Sequence, residues 1–222
     1  MPTKDTPWSF SRLNAYETCP RKYHQESVLK KYPFQSNAAA DFGKYAHKAF
    51  ENRFSHYTPL PMDLQHHEKY LTPLMQRPGN SIVEQQMALD ANFEPTGWFD
   101  SDVWTRAIVD WAKFDSGVGQ IVDWKFGKRP PQDSFDQVDL MVAVMMAYKP
   151  ELMGVVGAFY WAKDKKFARK TCRREDVPEI WGGFLPRVER YEKAHRKIDF
   201  PPKPCFLCKA WCPVKTCEYN GV

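Results

Sequence analysis

The sequence predicts an α/β fold, with helices before and after a small β-sheet. Three observations predict it. Apolar residues recur at helical spacing in the first third, at Phe42, Tyr45, Ala46, Ala49, Phe50 and Phe54. The middle shortens to strand-like runs broken by the turn signal Asp115-Ser116-Gly117. A long charged helical pattern then returns before an irregular, cysteine-rich tail.

Taken in order, Ser9 or Ser11 can cap a first helix carrying Leu13 and Tyr16, with Pro20 interrupting the pattern before Tyr23. A second helix starts near Asn37 and places His47 among its apolar residues. A weaker third covers Met62 to Met75. Strands are expected over Ile82 to Leu89, Thr105 to Phe114 and Val118 to Phe126. Ser134 can cap a helix running through Ala147. Two more strands, Gly154 to Lys163 and Lys166 to Cys172, precede a helix over Asp176 to Ile198. The organisation expected is one domain: a helical region over residues 1–80, an α/β core over 81–175, and a basic helix with its tail over 176–222.

Bulk properties exclude some classes. With 43% hydrophobic and 15% aromatic residues, the chain can build a sizeable core and is not globally disordered. The longest apolar runs, Leu140 to Tyr148 and Val155 to Ala162, reach about half of the ~20 residues a membrane span needs. Met1 to Pro7 has no signal-peptide core, so a cytoplasmic protein with reduced cysteines is expected. The formal charge of +5 is a mild bias toward polyanions.

The hairpin around Asp115 carries the chemistry. If Ser116-Gly117 is a two-residue turn, Asp115 pairs with Val118, Ala112 faces Ile121, and Asp110 faces Asp123. Opposed Cβ atoms in such a pair are about 4.5–5.5 Å apart, so the two carboxylates repel. A divalent cation between them reverses that sign. Lys125 shares the face of Asp123, while Val109, Trp111, Val122 and Trp124 are assigned to an opposite, buried face. Hard oxygen ligands select Mg²⁺ or Mn²⁺, ions suited to phosphodiester hydrolysis. The alternative is a surface hairpin with solvated charges, and a slip of one residue would part the aspartates.

Six cysteines in a reducing compartment need another explanation than disulfides, and four crowd into Cys205 to Cys217. Four thiolates suit a 4Fe–4S cluster or a structural Zn²⁺. Cys172, isolated in an expected strand, reads as a small buried hydrophobe. Arg187, Arg190, Lys193, Arg196 and Lys197 form a basic stripe that can meet phosphates or simply be solvated. Trp98, Phe99 and Tyr16 can stack unpaired bases or pack.

At these residues the sequence resembles the PD-(D/E)xK nuclease superfamily, in its RecB-like branch. Ile121 through Lys128 is similar to the "ivDyKtGk" signature, and Arg106 through Asp110 to the "GriD" element before it. Gly43 through His47 matches "G-x-x-x-H", and Gln137 opens the "Q-x-x-x-Y" helix, with Met141 in the tyrosine's place. The stretch from Ser9 to Tyr23, including Cys19, resembles the opening of the iron–sulfur branch, which includes CRISPR-associated RecB-like exonucleases, AddB nuclease domains and stand-alone phage exonucleases.

The resemblance implies a restriction-endonuclease-like core and a metal-dependent DNA exonuclease of DNA end processing or recombination. It implies Asp110, Asp123, Lys125 and Gln137 as catalytic residues, and His47 with the aspartates as metal ligands, Glu84 being auxiliary. It implies a 4Fe–4S cluster on Cys19, Cys208, Cys212 and Cys217, with Cys205 as a substitute ligand. The C-terminal spacing departs from the common C-x2-C-x5-C form. DNA, single-stranded or as an end-bearing duplex, is the partner implied, in the cytoplasm of a bacterium or an infected host. The competing expectation is a non-catalytic DNA-binding subunit with a structural metal–cysteine site. A zinc-stapled interaction module would leave the hairpin unexplained.

Overall fold

The computed structural model describes residues 7–33 and 35–221, so most of the polar start, Met1 to Thr6, lies outside the described residues. The strands are β1 (Asn80–Leu89), β2 (Pro95–Thr96), β3 (Thr105–Asp115), β4 (Val118–Lys125), β5 (Gly154–Trp161) and β6 (Lys166–Arg173). They form one mixed sheet in the order β2-β1-β3-β4-β5-β6. Neighbours are antiparallel except β4 and β5, which run parallel and are joined through helix α5 (Asp136–Tyr148). Helices flank the sheet, giving the restriction-endonuclease-like α/β fold.

Local chemistry accounts for the helix starts. Ser9 caps α1 (Phe10–Thr18) by accepting from the Arg12 N–H. Pro20 opens α2 (Pro20–Tyr23), which continues as a π-helical turn over His24–Val28. Asn37 caps α3 (Ala38–His56) through the Ala40 N–H. The expected third helix divides into a 3₁₀ segment, Met62–His67, and α4 (Glu68–Met75). Helix α5 begins at Asp136 with Phe135 in the capping position, so Ser134 does not cap it; its Oγ reaches the Asp136 N–H only at 3.5 Å. The last long helix is α6 (Val177–Lys197). No helix among the described residues is long and apolar enough to cross a membrane.

Both faces of the sheet are covered. Phe50 and Phe54 of α3 and Leu71 of α4 pack with Trp111, Val122, Trp124 and Tyr160 on one side. Helices α1, α5 and α6 pack with Val109, Ala112, Ile121 and Phe159 on the other. Val109 and Trp111 therefore lie in different cores, which corrects the single buried face expected from alternation. The cause is a coordinated irregularity. Residues 80–83 pair with 111–114 and residues 85–89 with 105–109, while Glu84 and Asp110, level with each other, stay out of the ladder. Ile82 and Met87 consequently share one core although their numbers differ in parity, and Val83 faces the other.

The basic stripe on α6 is also partly corrected. Arg187 turns inward and ties three helices, bonding Glu17 of α1 at 2.8 and 2.7 Å and Asp136 of α5 at 2.6 Å. Arg196 pairs with Glu192 at 3.7 Å. Arg190, Lys193 and Lys197 remain exposed.

Candidate functional site

The turn between β3 and β4 has positive φ at both central residues, Ser116 at 49° and Gly117 at 80°. That geometry matches the twist of a two-residue hairpin and fixes its register. Asp115 pairs with Val118, Phe114 with Gly119 and Ala112 with Ile121, as expected, up to Trp111 with Val122. Beyond that pair the strands separate. The Asp110 carboxylate fills the break, with Oδ2 accepting from the Trp124 N–H at 2.8 Å. A side chain thus replaces a ladder bond where Asp110 and Asp123 would have faced each other.

Three elements deliver the remaining groups. His47, on α3, places Nε2 3.4 Å from Asp110 Oδ2 and donates toward the Trp124 carbonyl at 3.2 Å. Its Nδ1 is 3.7 Å from Glu84 Oε1. Glu84 sits at φ 48°, a left-handed conformation unusual for a branched or long side chain and costing on the order of 1–2 kcal/mol. That flip turns its carboxylate toward His47 and Asp110. Among the described residues, ligand atoms of His47, Glu84 and Asp110 lie within 4.8 Å of one another.

Asp123 stands beside this group, on the α5 side. Gln137 donates Nε2 to its Oδ1 at 2.8 Å and accepts from Lys125 Nζ at 2.7 Å. Asp123 Oδ2 is buried 2.7 Å from Lys125 Nζ, and the attraction of that ammonium opposes the cost of its burial. Lys125 also lies over the Phe159 ring, 5.2 Å from its centre. Gln137 thereby holds the acid and the ammonium together. The Phe159 contact has no counterpart in sequence pattern, since it depends on the parallel register of β4 and β5.

The electrostatics are those of an uncompensated acidic site. Burial first, and the charge of Asp123 second, push the Asp110 carboxyl up to about 7. Burial likewise raises Asp123, against the pull of Lys125. Burial works to lower His47, but Glu84, Asp110 and Asp123 outweigh it and the net shift is upward. Buried carboxylates with one imidazole form a donor set that a hard divalent cation would fit, and such an ion would reverse each of these shifts.

The family model of the PD-(D/E)XK nuclease superfamily matches residues 7–217, nearly the whole chain. The chain belongs to the PD-(D/E)XK nuclease superfamily. It is similar in structure to a candidate exonuclease from Eubacterium rectale, with a TM-score of 0.53 and 14% identity over 92% of this chain and 86% of that one. The protein SSO0001 aligns at a TM-score of 0.47 and 13% identity, over 99% of this chain and 89% of that one. Among curated proteins, none matches the sequence. Superfamily members are nucleases that use divalent metals, and the described acidic group is where such an ion would fit.

The superfamily core does not account for the cysteines. Cys19, Cys208, Cys212 and Cys217 line one small cavity between the start of α2 and the tail, and Cys205 is not among its lining. All six cysteines are free. Each of the four sulfurs meets a donor: the Lys203 N–H at Cys19 at 3.5 Å, the Cys205 N–H at Cys208 at 3.4 Å, and Arg21 at Cys217 at 3.9 Å. A backbone bond from Val214 serves Cys212, whose thiol burial nonetheless raises. Cys172 lies elsewhere, buried in β6 beside Asp139, with its thiol pushed up mainly by burial to about 11.

Proposed function

We propose that the protein is a divalent-metal-dependent DNA exonuclease acting in DNA end processing or recombination. One observation carries the reading. At the break between β3 and β4, the His47–Glu84–Asp110 group adjoins the Asp123–Lys125–Gln137 set. His47, Asp110 and Asp123, with Glu84 assisting, would hold Mg²⁺ or Mn²⁺, which would supply Lewis-acid polarisation of the scissile phosphate and activation of water. Asp123 and Gln137 orient the Lys125 ammonium, which stabilises charge developing on the phosphate. Residues 1–222 work as one nuclease domain in the cytoplasm of a bacterium or its infected host, a placement resting on resemblance alone.

We further assign Cys19, Cys208, Cys212 and Cys217 to a 4Fe–4S cluster with a structural role. A tetrahedral zinc with Zn–S bonds of about 2.3 Å needs its sulfurs roughly 3.8 Å apart. Four cysteines around one cavity could hold either centre, and the resemblance to the iron–sulfur branch is what favours the four-iron cluster. Absorbance near 400 nm with bound iron and sulfide is expected; stoichiometric zinc in a colourless protein would reverse this assignment.

The test of the activity is cleavage of end-labelled single- and double-stranded DNA with Mn²⁺ or Mg²⁺, beside Asp123→Ala and Lys125→Ala. Both variants should lose at least a hundredfold in rate, on the scale of losing one transition-state contact. Equal rates in wild type and variants would refute the reading.

A further inference from the structure

We propose that the cleft beside the candidate metal group binds one unpaired nucleotide of the DNA strand, with its base against Trp98 and its phosphate on Arg106. The proposal rests on the nuclease reading and names how that site would take its substrate. Its origin is a gap in pairing along one edge of β3. Trp8 pairs with the start of that strand, donating to the Trp104 carbonyl and accepting from the Arg106 N–H. Strand β4 pairs with its end, from Trp111 onward. In the stretch between, which pairs with neither, Ala107, Ile108 and Asp110 line a cleft of about 450 Å³. That is the scale of a single small ligand and far too small for a duplex.

The two ends of the cleft differ in chemistry. Glu84, Asp110 and Gln137 line one end, and Trp98, Arg106 and the start of α1 line the other. Arg106, Ile108 and Asp110 follow at two-residue steps on β3, each step about 6.6 Å along the strand. The strand therefore presents a cation, an apolar side chain and a carboxylate in sequence. Ile108 is 41% exposed on a central strand, which leaves apolar surface for a flat ligand face. Arg106 is held without neutralisation: its Nε donates to the Trp98 carbonyl at 3.0 Å, its guanidinium lies 5.2 Å from the Trp98 ring centre, and among the described residues it makes no salt bridge. An aromatic face beside a fixed cation is the equipment for one stacked base and its phosphate. A paired base cannot enter, so the strand must be single-stranded, or frayed, where it is cut.

The experiment is an abasic scan. Single-stranded oligonucleotides carrying one abasic nucleotide at successive positions are tested for binding by fluorescence anisotropy in EDTA and for cleavage with Mn²⁺, using wild type, Trp98→Ala, Trp98→Phe and Arg106→Gln. One abasic position is expected to weaken wild-type binding about tenfold. Trp98→Ala should show the same loss on the intact strand and no further loss at that abasic position, and Trp98→Phe should restore most of it. Arg106→Gln should weaken every strand and flatten the salt dependence. Wild type that cuts DNA with no sensitive abasic position, or losses that multiply in Trp98→Ala, would overturn the nucleotide subsite and leave the nuclease reading intact. Strand binding through Trp98 without any cleavage would support the cleft and refute the nuclease.

Discussion

Asp110 sets stability against chemistry in one side chain. Its carboxyl, raised by burial and by Asp123 to about 7, prefers to be protonated in the fold, while an unfolded aspartate ionises near 4. A raised acid contributes stability at low pH and loses it as pH rises through the folded value, at about 1.36 kcal/mol per unit. Asp110→Asn removes the charge and can still accept from the Trp124 N–H. In EDTA, the melting temperature of Asp110→Asn relative to wild type should therefore climb between pH 5 and pH 7 and level off above. Taking the difference cancels titrations not coupled to Asp110, such as that of His67, which burial first and the nearby His66 and Lys165 next lower to about 4. A constant difference across that range would mean that Asp110 is not destabilised by its charge. Saturating Mg²⁺ should reverse the order, stabilising wild type and not the variant. The expected Asp110–Asp123 pair is replaced by a break in the ladder, whereas the closeness of Asp123 and Lys125 was legible because two-residue spacing on a strand has a simple parity. Glu84's left-handed turn was not, since nothing in Ile82-Val83-Glu84 announces a positive φ.

At the scale of elements, the site depends on how closely α5 approaches the sheet. A Cβ built on Gly157 of β5 would lie 2.1 Å from Val138 Cγ1, so only glycine admits the helix at this height. Val138 is the neighbour of Gln137, which joins Asp123 to Lys125. Gly157→Ala should cost about 1–3 kcal/mol through overpacking and lower cleavage by displacing Gln137. Adding Val138→Ala opens the space and should recover much of both losses. A double variant as weak as the two losses combined would break the proposed link between packing and catalysis. The sequence announced α1, α3 and the β3–β4 hairpin because Ser9, Asn37 and Ser116-Gly117 carry their own local instructions. It concealed the two-residue β2, the Trp8 bridge and the uncapped start of α5, each decided by distant partners. The change of face in β1 and β3 was hidden for the same reason: alternation holds on each side of Glu84 and Asp110, and only the paired break moves the cores.

Across the whole molecule, the problem is how the tail keeps its structure. Beyond Pro201, among the described residues, only Cys208, Cys212 and Val214 are buried apolar residues, while Phe206 and Trp211 stand 77% and 71% exposed. So little buried apolar area cannot offset the ordering entropy of some twenty residues. Its polar ties to the body run through a few residues: the Arg21 N–H to the Pro201 carbonyl, Lys203 to Cys19 and to the Glu17 carbonyl, and the Arg21 guanidinium to Glu218 and Cys217. Thiolate–metal bonds from Cys19 to the tail cysteines would supply the missing free energy. Cys19→Ser should then lower the melting temperature and expose residues 201–221 to limited proteolysis, with cleavage activity per folded molecule falling less. Cys208→Ser, Cys212→Ser and Cys217→Ser should behave alike. Cys205→Ser should be nearly silent, because that thiol does not line the shared cavity. A Cys19→Ser protein with normal melting and a protease-resistant tail would leave the C-terminus held by packing that its buried residues do not supply.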